Sequence, residues 1–294
     1  KRVVEPLILL PMGMGMVFVN TAFLLLPPYP PFPGGLGTQH LAPLIGTGTM
    51  PPSESVTRIV VSLGLYWLQP IYELMFKNGL IACLVFLGIG AITDLDFFIA
   101  RPFVSFFIAI FAELGTILAL PLAVAIGFSF HEAASIAMIG GADGPMVVYT
   151  SLKVAPHLFV PIAVVEYFYL SILVVFQGRL NRLTIPLKMR SAVMDPREIR
   201  KVGKAEKVLF DIVAGGVLSL LFPVASPLIA SFFLGNALKE AQVERLKKFL
   251  DDVVLNGSTL FLGFVLGILL TPNVILEPKV LGIFLLGIAA LVLS

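Results

Sequence analysis

The chain has 294 residues, of which 58% are hydrophobic and 13% charged, with 24 phenylalanines and a mean hydropathy of +0.99. Soluble domains carry about 25% charged residues, so the composition excludes an ordinary water-soluble globule and points to a protein that crosses a bilayer many times. The net charge of +2 excludes little, and the single cysteine, Cys83, supports neither a disulfide framework nor a cysteine-based metal site.

A bilayer-spanning helix needs about 20 apolar residues. The first candidate is 3–26, interrupted by Pro6, Pro11, Gly13 and Gly15; its alternating Met12, Met14 and Met16 read as packing filler. Lys1 and Arg2 precede a span without a small-residue cleavage site, so it does not read as a signal peptide. Residues 27–56 are a Pro/Gly-rich extramembrane loop, and 57–75 form a weaker amphipathic segment whose Tyr66 and Trp67 suit a membrane interface. Further spans are expected at 79–93, 102–129, a broken segment 131–155, and 156–177. Beyond a polar loop come 208–237, divided into two arms by Pro223 and Pro227, then 253–271 and 275–294. With no initiator Met and an end inside the apolar run LGIFLLGIAALVLS, the expectation is a piece of a longer protein.

The polar loop 178–207 holds nine of the twenty Lys and Arg, opposed only by Asp195, Glu198 and Glu206. Between spans, such a bias places a loop in the cytoplasm rather than marking nucleic-acid binding. The chain therefore divides into a membrane region 1–177, a basic cytoplasmic loop 178–207, and a second membrane region 208–294. If every segment crosses, Lys1 and Arg2 lie inside and the Pro-rich loop outside. If 131–155 re-enters instead, the parity flips upstream of it. The expected fold is an all-α polytopic bundle with discontinuous helices and inverted repeats.

Residues 140–146 read GGADGPM inside one of the most apolar stretches. A carboxylate at bilayer depth costs about 2.5–3.5 kcal/mol on insertion scales, so Asp143 calls for a partner or a task. Its glycines and proline break the helix, and broken backbone at that depth survives where protein buries it or it lines a wet cavity. Carbonyls beside a carboxylate make a hard-oxygen site for a small cation; the competing reading is a paired structural Asp at a packing kink. Glu113 and Glu166, both mid-span, should face the bundle. Glu166 shares a helix face with Tyr169, and Tyr149, Tyr167 and Tyr169 bring hydroxyls toward the break. Asp94 and Asp96 read as an interfacial ion pair with Arg101 plus a helix cap. His131, Glu132, Lys153 and His157 read as helix-end polar residues, with no third ligand spaced for a metal. GGADGP is no phosphate loop, and neither a Ser-His-Asp triad nor a dinucleotide fingerprint is present.

Several stretches resemble one family in order along the chain: EPLILLPMGMG, GIGAITDLDFFIARP, MIGGADGPMVVYTSLKVAP, EYFYLSILVVFQ, FFLGNALKE, VERL and NGSTLFLG. They are similar to the membrane β subunits of sodium-pumping biotin-dependent decarboxylases acting on oxaloacetate, malonate, methylmalonyl-CoA or glutaconyl-CoA. The most specific match is the signature Ile-Gly-Gly-Ala-Asp-Gly-Pro-Thr, whose Thr is Met146 here. The Phe-Gly-Pro of the Thr-Asp motif is Leu95-Asp96-Phe97, its Asn is Arg101, and a later Pro-Pro is Gly178-Arg179.

The resemblance implies a carboxybiotin decarboxylase in the cytoplasmic (inner) membrane of a prokaryote. Biotin-carrier and carboxyltransferase subunits deliver carboxybiotin, a small membrane subunit and further copies of the chain accompany it, a proton is consumed and Na⁺ is exported. It implies Asp143 and Tyr169 as the functional side chains. Na⁺ would be held by Asp143, Gly140, Gly141, Ala142, Tyr169 and Asn256, and Asn236 matches another family asparagine. It also implies a further C-terminal segment, toward which Asp143 should open. The rivals are a Na⁺- or H⁺-coupled secondary transporter built on the same broken helix, and a non-catalytic membrane anchor.

Overall fold

The computed structural model describes residues 8–25, 72–192, 200, 202–269 and 278–293. The Pro-rich loop, Tyr66 and Trp67 lie outside them, as do Asp195, Arg197, Glu198 and Lys201. Every regular element among the described residues is helical. In chain order these are α1 (Leu9–Leu25), a π turn (Tyr72–Lys77), α2 (Leu80–Ile92), α3 (Asp96–Ala100), α4 (Pro102–Ala112), α5 (Leu114–Ile126) and α6 (Phe130–Ala137). A 3₁₀ turn (Met138–Gly141) leads to α7 (Gly144–Val154), and a second (Pro156–Leu158) to α8 (Phe159–Thr184). Then come α9 (Leu187–Arg190), α10 (Lys204–Leu221), α11 (Ser226–Glu240), α12 (Glu244–Phe249), a π turn (Leu250–Leu255), α13 (Asn256–Leu269) and α14 (Pro278–Leu293).

α4 and α5 run on as one apolar stretch of 25 residues, and Glu244–Leu269 makes another of 26 residues; both are long enough to cross a membrane. The outer face of α4 exposes Phe103, Phe106, Phe107 and Phe111. An apolar surface of that kind suits lipid and not water. The run expected at 156–177 continues as helix to Thr184, carrying Arg179 and Arg182 out of the apolar region. The run 208–237 is split where Phe222–Ala225, including Pro223, separates α10 from α11.

Two cores meet on α8. One joins Ile136, Ile139, Ile162, Val165, Tyr169, Ile283 and Leu286; the other joins Met12, Phe76, Ile81, Val85, Phe159, Ala163, Tyr167, Leu262 and Leu266. α8 is thus the helix shared by both halves of the bundle. Within the second half, small residues let backbones touch, as is common between membrane helices. A Cβ at Gly90 would meet the Phe232 carbonyl of α11, and one at Gly235 would meet the Leu87 carbonyl of α2.

That close approach brings two of the quoted motifs, GIGAITD and GNALKE, side by side. Asn236 is fully buried and its amide donates to the carbonyls of Gly90 (3.0 Å) and Thr93 (2.8 Å), while Lys239 Nζ also donates to Thr93 O (2.6 Å). The carbonyls at the end of α2 are therefore capped from α11, Gly90 O accepting in addition from the Thr93 amide at 3.3 Å. Glu240 pairs with Lys239 (3.0 Å) and Lys207 (3.3 Å), and Lys207 also pairs with Asp96. The expected Asp96–Arg101 pair is thus replaced by Asp96–Lys207, because α10 packs on α11 and brings its first turn to the end of α2. Asp94 caps the following turn by accepting from the Asp96 amide at 3.0 Å.

Candidate functional site

The broken segment is built from two short helices and a sharp turn. α5 stops at Gly127, whose φ of 108° is left-handed. Ser129 then caps α6 in a reciprocal box: its hydroxyl accepts from the Glu132 amide (3.4 Å), and the Glu132 carboxylate accepts from the Ser129 amide (2.8 Å). α6 tightens into the 3₁₀ turn, Ala142 takes a left-handed conformation (φ 52°, ψ 37°), and Asp143 becomes the N-cap of α7. A residue with a Cβ in that region carries about 1–2 kcal/mol of strain, which the packing around the turn must hold in place. Pro145, which needs no amide partner, fits the first turn of α7.

The two ends of this segment meet. His157 Nε2 lies 2.9 Å from Glu132 Oε1, joining the start of α6 to the turn that follows α7. The segment is therefore a helical hairpin that returns to the end from which it left, with Asp143 at its tip. α7 has 11 residues, about 16 Å at about 1.5 Å per residue, or roughly half the ~30 Å hydrocarbon thickness.

Glycine is needed on both sides of the tip. A Cβ at Gly140 would lie 2.5 Å from the Gly115 carbonyl carbon at the start of α5, and one at Gly144 would lie 2.5–2.7 Å from the Tyr167 ring and hydroxyl. The Gly141 Cα faces Glu113, whose carboxylate oxygens lie 3.1 and 3.3 Å from the position a Cβ would take. Glu113 itself is exposed at the α4–α5 junction and accepts from the Thr116 hydroxyl at 2.7 Å. It is thus less enclosed than a bundle-facing residue, yet it is turned toward the hairpin tip.

Asp143 is half-buried, and its Oδ1 accepts one long bond from the Met146 amide (3.4 Å). Among the described residues it forms no ion pair; neither Arg101 nor Lys153 locks it. Glu166 is fully buried.

Other residues singled out in the sequence fall at varied places. The Tyr167 hydroxyl lies against Gly144, beside the tip, where both Asp143 and Glu166 act on it. Tyr169 is buried in the other core, and Glu166 is the carboxylate that acts on it. Tyr149 donates to the Val224 carbonyl (2.9 Å), tying α7 to the α10–α11 break, and Lys153 lies over its ring at 5.8 Å. Asn256 is exposed, and its amide donates to the carbonyls of Asp251 and Asp252 (both 3.1 Å). His131 is exposed at the start of α6. The Glu132–His157 contact and the Ser129 cap both escaped sequence reasoning; the spacing Ser-x-x-Glu before an apolar run is the signal that would have found the cap.

Known proteins share this chain's sequence throughout. The family model described as "Na+-transporting oxaloacetate decarboxylase beta subunit" matches residues 1–294. The carboxybiotin decarboxylase of Malonomonas rubra is 46% identical over 294 residues, which is all of this chain and 70% of that protein. The methylmalonyl-CoA decarboxylase subunit beta of Propionigenium modestum is 33% identical over 290 residues, 97% of this chain and 69% of that protein. The oxaloacetate decarboxylase beta chain of Klebsiella pneumoniae is 36% identical over 225 residues, 74% of this chain and 52% of that protein. An all-helical bundle with lipid-suited faces, a carboxylate at the tip of a broken hairpin, and a family match over every residue agree with one another: the chain belongs to the Na⁺-transporting oxaloacetate decarboxylase beta subunit family.

Proposed function

We propose that this chain is the membrane subunit that decarboxylates carboxybiotin carried on a partner subunit and couples the reaction to Na⁺ export. The observation that carries the proposal is Asp143: a carboxylate at the tip of a membrane hairpin, half-buried, with no cationic side chain among the described residues pairing it. In the reaction the N–COO⁻ bond of carboxybiotin breaks, CO₂ leaves, and the ring nitrogen takes up one proton. The carbon chemistry belongs to biotin; the protein supplies electrostatics and gating. Asp143 accommodates Na⁺ or H⁺ but not both, so filling it with one expels the other. The backbone of Gly140, Gly141 and Ala142 surrounds the cation, and Tyr169 assists from the face it shares with Glu166.

The subunit works in the cytoplasmic membrane of a prokaryote as a multi-pass protein, with biotin-carrier, carboxyltransferase and small membrane subunits, and with further copies of itself. The basic loop supports a cytoplasmic docking side. Two contacts support the topology: Glu132–His157 joins both ends of the hairpin, and Asp96–Lys207 holds the α2–α3 junction beside the end of that loop. If 131–155 crossed, Asp96 and Lys207 would sit on opposite faces.

The test is substrate-driven ²²Na⁺ uptake by the full complex in proteoliposomes. Asp143→Asn should abolish uptake and Na⁺-dependent decarboxylation while the protein still inserts, and Asp143→Glu should keep part of both. Tyr169→Phe should weaken the Na⁺ dependence. Uptake by the Asn variant equal to wild type would remove the assignment.

A further inference from the structure

We propose that the groove between the start of α10 and the end of α11 binds an anionic phospholipid, with the headgroup phosphate on Lys204 and one acyl chain laid along α10. This site requires only a bilayer around α10 and is independent of the Asp143 assignment.

The groove has a volume of about 510 Å³. Lys204, Val208, Leu209 and Ile212 of α10 form one wall, and Glu240 and Gln242, at the end of α11, belong to the other. Lys204, Val208 and Ile212 follow one another at four-residue steps, so a cation heads a line of apolar side chains on one face of the helix. Beyond the groove that outer face stays apolar: Leu209, Ile212, Val213, Val217 and Leu220 are all exposed. From Leu209 to Leu220 the helix rises about 16 Å at about 1.5 Å per residue, which is roughly half of the ~30 Å hydrocarbon core. The wall therefore matches the depth of one leaflet, and so the reach of one acyl chain.

The charge balance selects the headgroup. Glu240 lines the groove, but it is 8% exposed and already paired with Lys239 (3.0 Å) and Lys207 (3.3 Å). Lys207 also holds Asp96, and Glu206 is taken by Arg200 at 2.8 Å. Lys204 is exposed and makes no ion pair among the described residues. The groove thus offers one unpaired positive charge, together with the donor amide of Gln242. A phosphodiester carries one negative charge and accepts through its free oxygens, so a singly charged lipid such as phosphatidylglycerol answers both groups. Basic pockets between membrane helices hold anionic headgroups in this way. A soluble anion would meet the same ammonium and leave the apolar wall bare. A zwitterionic lipid would bring its own cation to Lys204 and lose the net attraction.

The experiment uses the full complex in detergent and a phosphatidylglycerol with a photoreactive diazirine in its acyl chain. Illumination should label the stretch 209–213, read by mass spectrometry of the digested chain, and unlabelled phosphatidylglycerol should compete. Lys204→Ala should weaken that competition about fivefold, the effect of one lysine beside an anionic membrane surface, and Lys204→Arg should restore it. Phosphatidylcholine should compete less well than phosphatidylglycerol in wild type and equally in Lys204→Ala. If Lys204→Ala fails to assemble, Val208→Trp decides: it fills the groove and leaves the cation in place, so the label should be lost, and a retained label refutes the site. Equal competition by inorganic phosphate would mean a soluble-anion site. Equal competition by phosphatidylcholine in wild type would mean an unselective lipid face, and no label at 209–213 would mean that protein, such as a second copy of the chain, covers the stripe. Each of these three results overturns the proposal.

Discussion

Glu132 and His157, 25 positions apart, meet at 2.9 Å at the open end of the hairpin that carries Asp143. One residue opens α6 through its capping box and the other closes the turn after α7, so the contact fixes the path of everything between them. The pair adds little stability itself, since His157 is 62% exposed and exposed ion pairs contribute about 0–1 kcal/mol. Its value is geometric.

Cysteines at both positions, in a Cys83→Ser background, should therefore form a disulfide within one chain on mild oxidation. A segment that crossed the bilayer would hold them roughly 30 Å apart, and no intramolecular bond would form. Mobility on a non-reducing gel after cleavage between the two sites reads the result directly.

Gly144→Ala is expected to damage the site without touching a charge. The added methyl would overlap the Tyr167 ring edge at 2.5 Å, and the ring is held in a filled core. Overpacking of this kind costs about 1–3 kcal/mol, and here the relief must come from moving either Tyr167 or the tip that positions Asp143. We expect lowered thermal stability in detergent and a raised Na⁺ requirement. Combining it with Tyr167→Phe, which removes the hydroxyl 2.7 Å from that methyl, should recover part of the loss. No recovery would mean that the tip shifts regardless of the tyrosine.

The sequence exposed the helical bundle, the break at 140–146 and the division at Pro223, because each depends on local chemistry: apolar run length, glycine and proline. It also placed Glu166 inside the bundle, since a mid-span carboxylate has no stable place in lipid. Partners far apart in the chain were not legible. Asp96 has Arg101 five positions away, and proximity in sequence favoured that pair; only the packing of α10 on α11 reveals Lys207. Sequence spacing singled out Tyr169, through the face it shares with Glu166, and left Tyr149 and Tyr167 as hydroxyls near the break. The structure separates them by which face of α7 or α8 each occupies, a distinction that depends on where the neighbouring helices sit.

Asn236→Leu should destabilise the α2–α11 contact. The substitution keeps approximate volume but removes both bonds to the Gly90 and Thr93 carbonyls, in a position with no exposure. A lost hydrogen bond costs about 0.5–1.5 kcal/mol net; Lys239 still donates to the Thr93 carbonyl and the Thr93 amide still donates to the Gly90 carbonyl at 3.3 Å, so neither acceptor is left bare. The expected outcome is a reduced melting temperature and faster amide exchange at the end of α2. Asn236→Asp tests the same point differently, since it keeps the shape and removes the donor. If both variants melt like wild type, the amide is not what holds the two helices together.

The proposed topology makes a prediction about sidedness. With the basic loop cytoplasmic, the Asp96–Lys207 pair would put Asp96 and the neighbouring Arg101 on that side. α4 and α5 would then carry the chain across to His131, the hairpin would return to His157 on the far side, and α8 would bring the chain back to the basic loop. Arg101, His131 and Arg190 are all exposed, so single cysteines there, without Cys83, report their compartments with an impermeant thiol reagent. His131→Cys should label from outside intact cells. Arg101→Cys and Arg190→Cys should label only in inverted vesicles. The informative site is Arg101, because a crossing segment at 131–155 would place it outside together with Asp96. Labelling of Arg101→Cys from outside, with Arg190→Cys protected, would mean that the hairpin spans the bilayer and that the Asp96–Lys207 contact does not exist in the membrane.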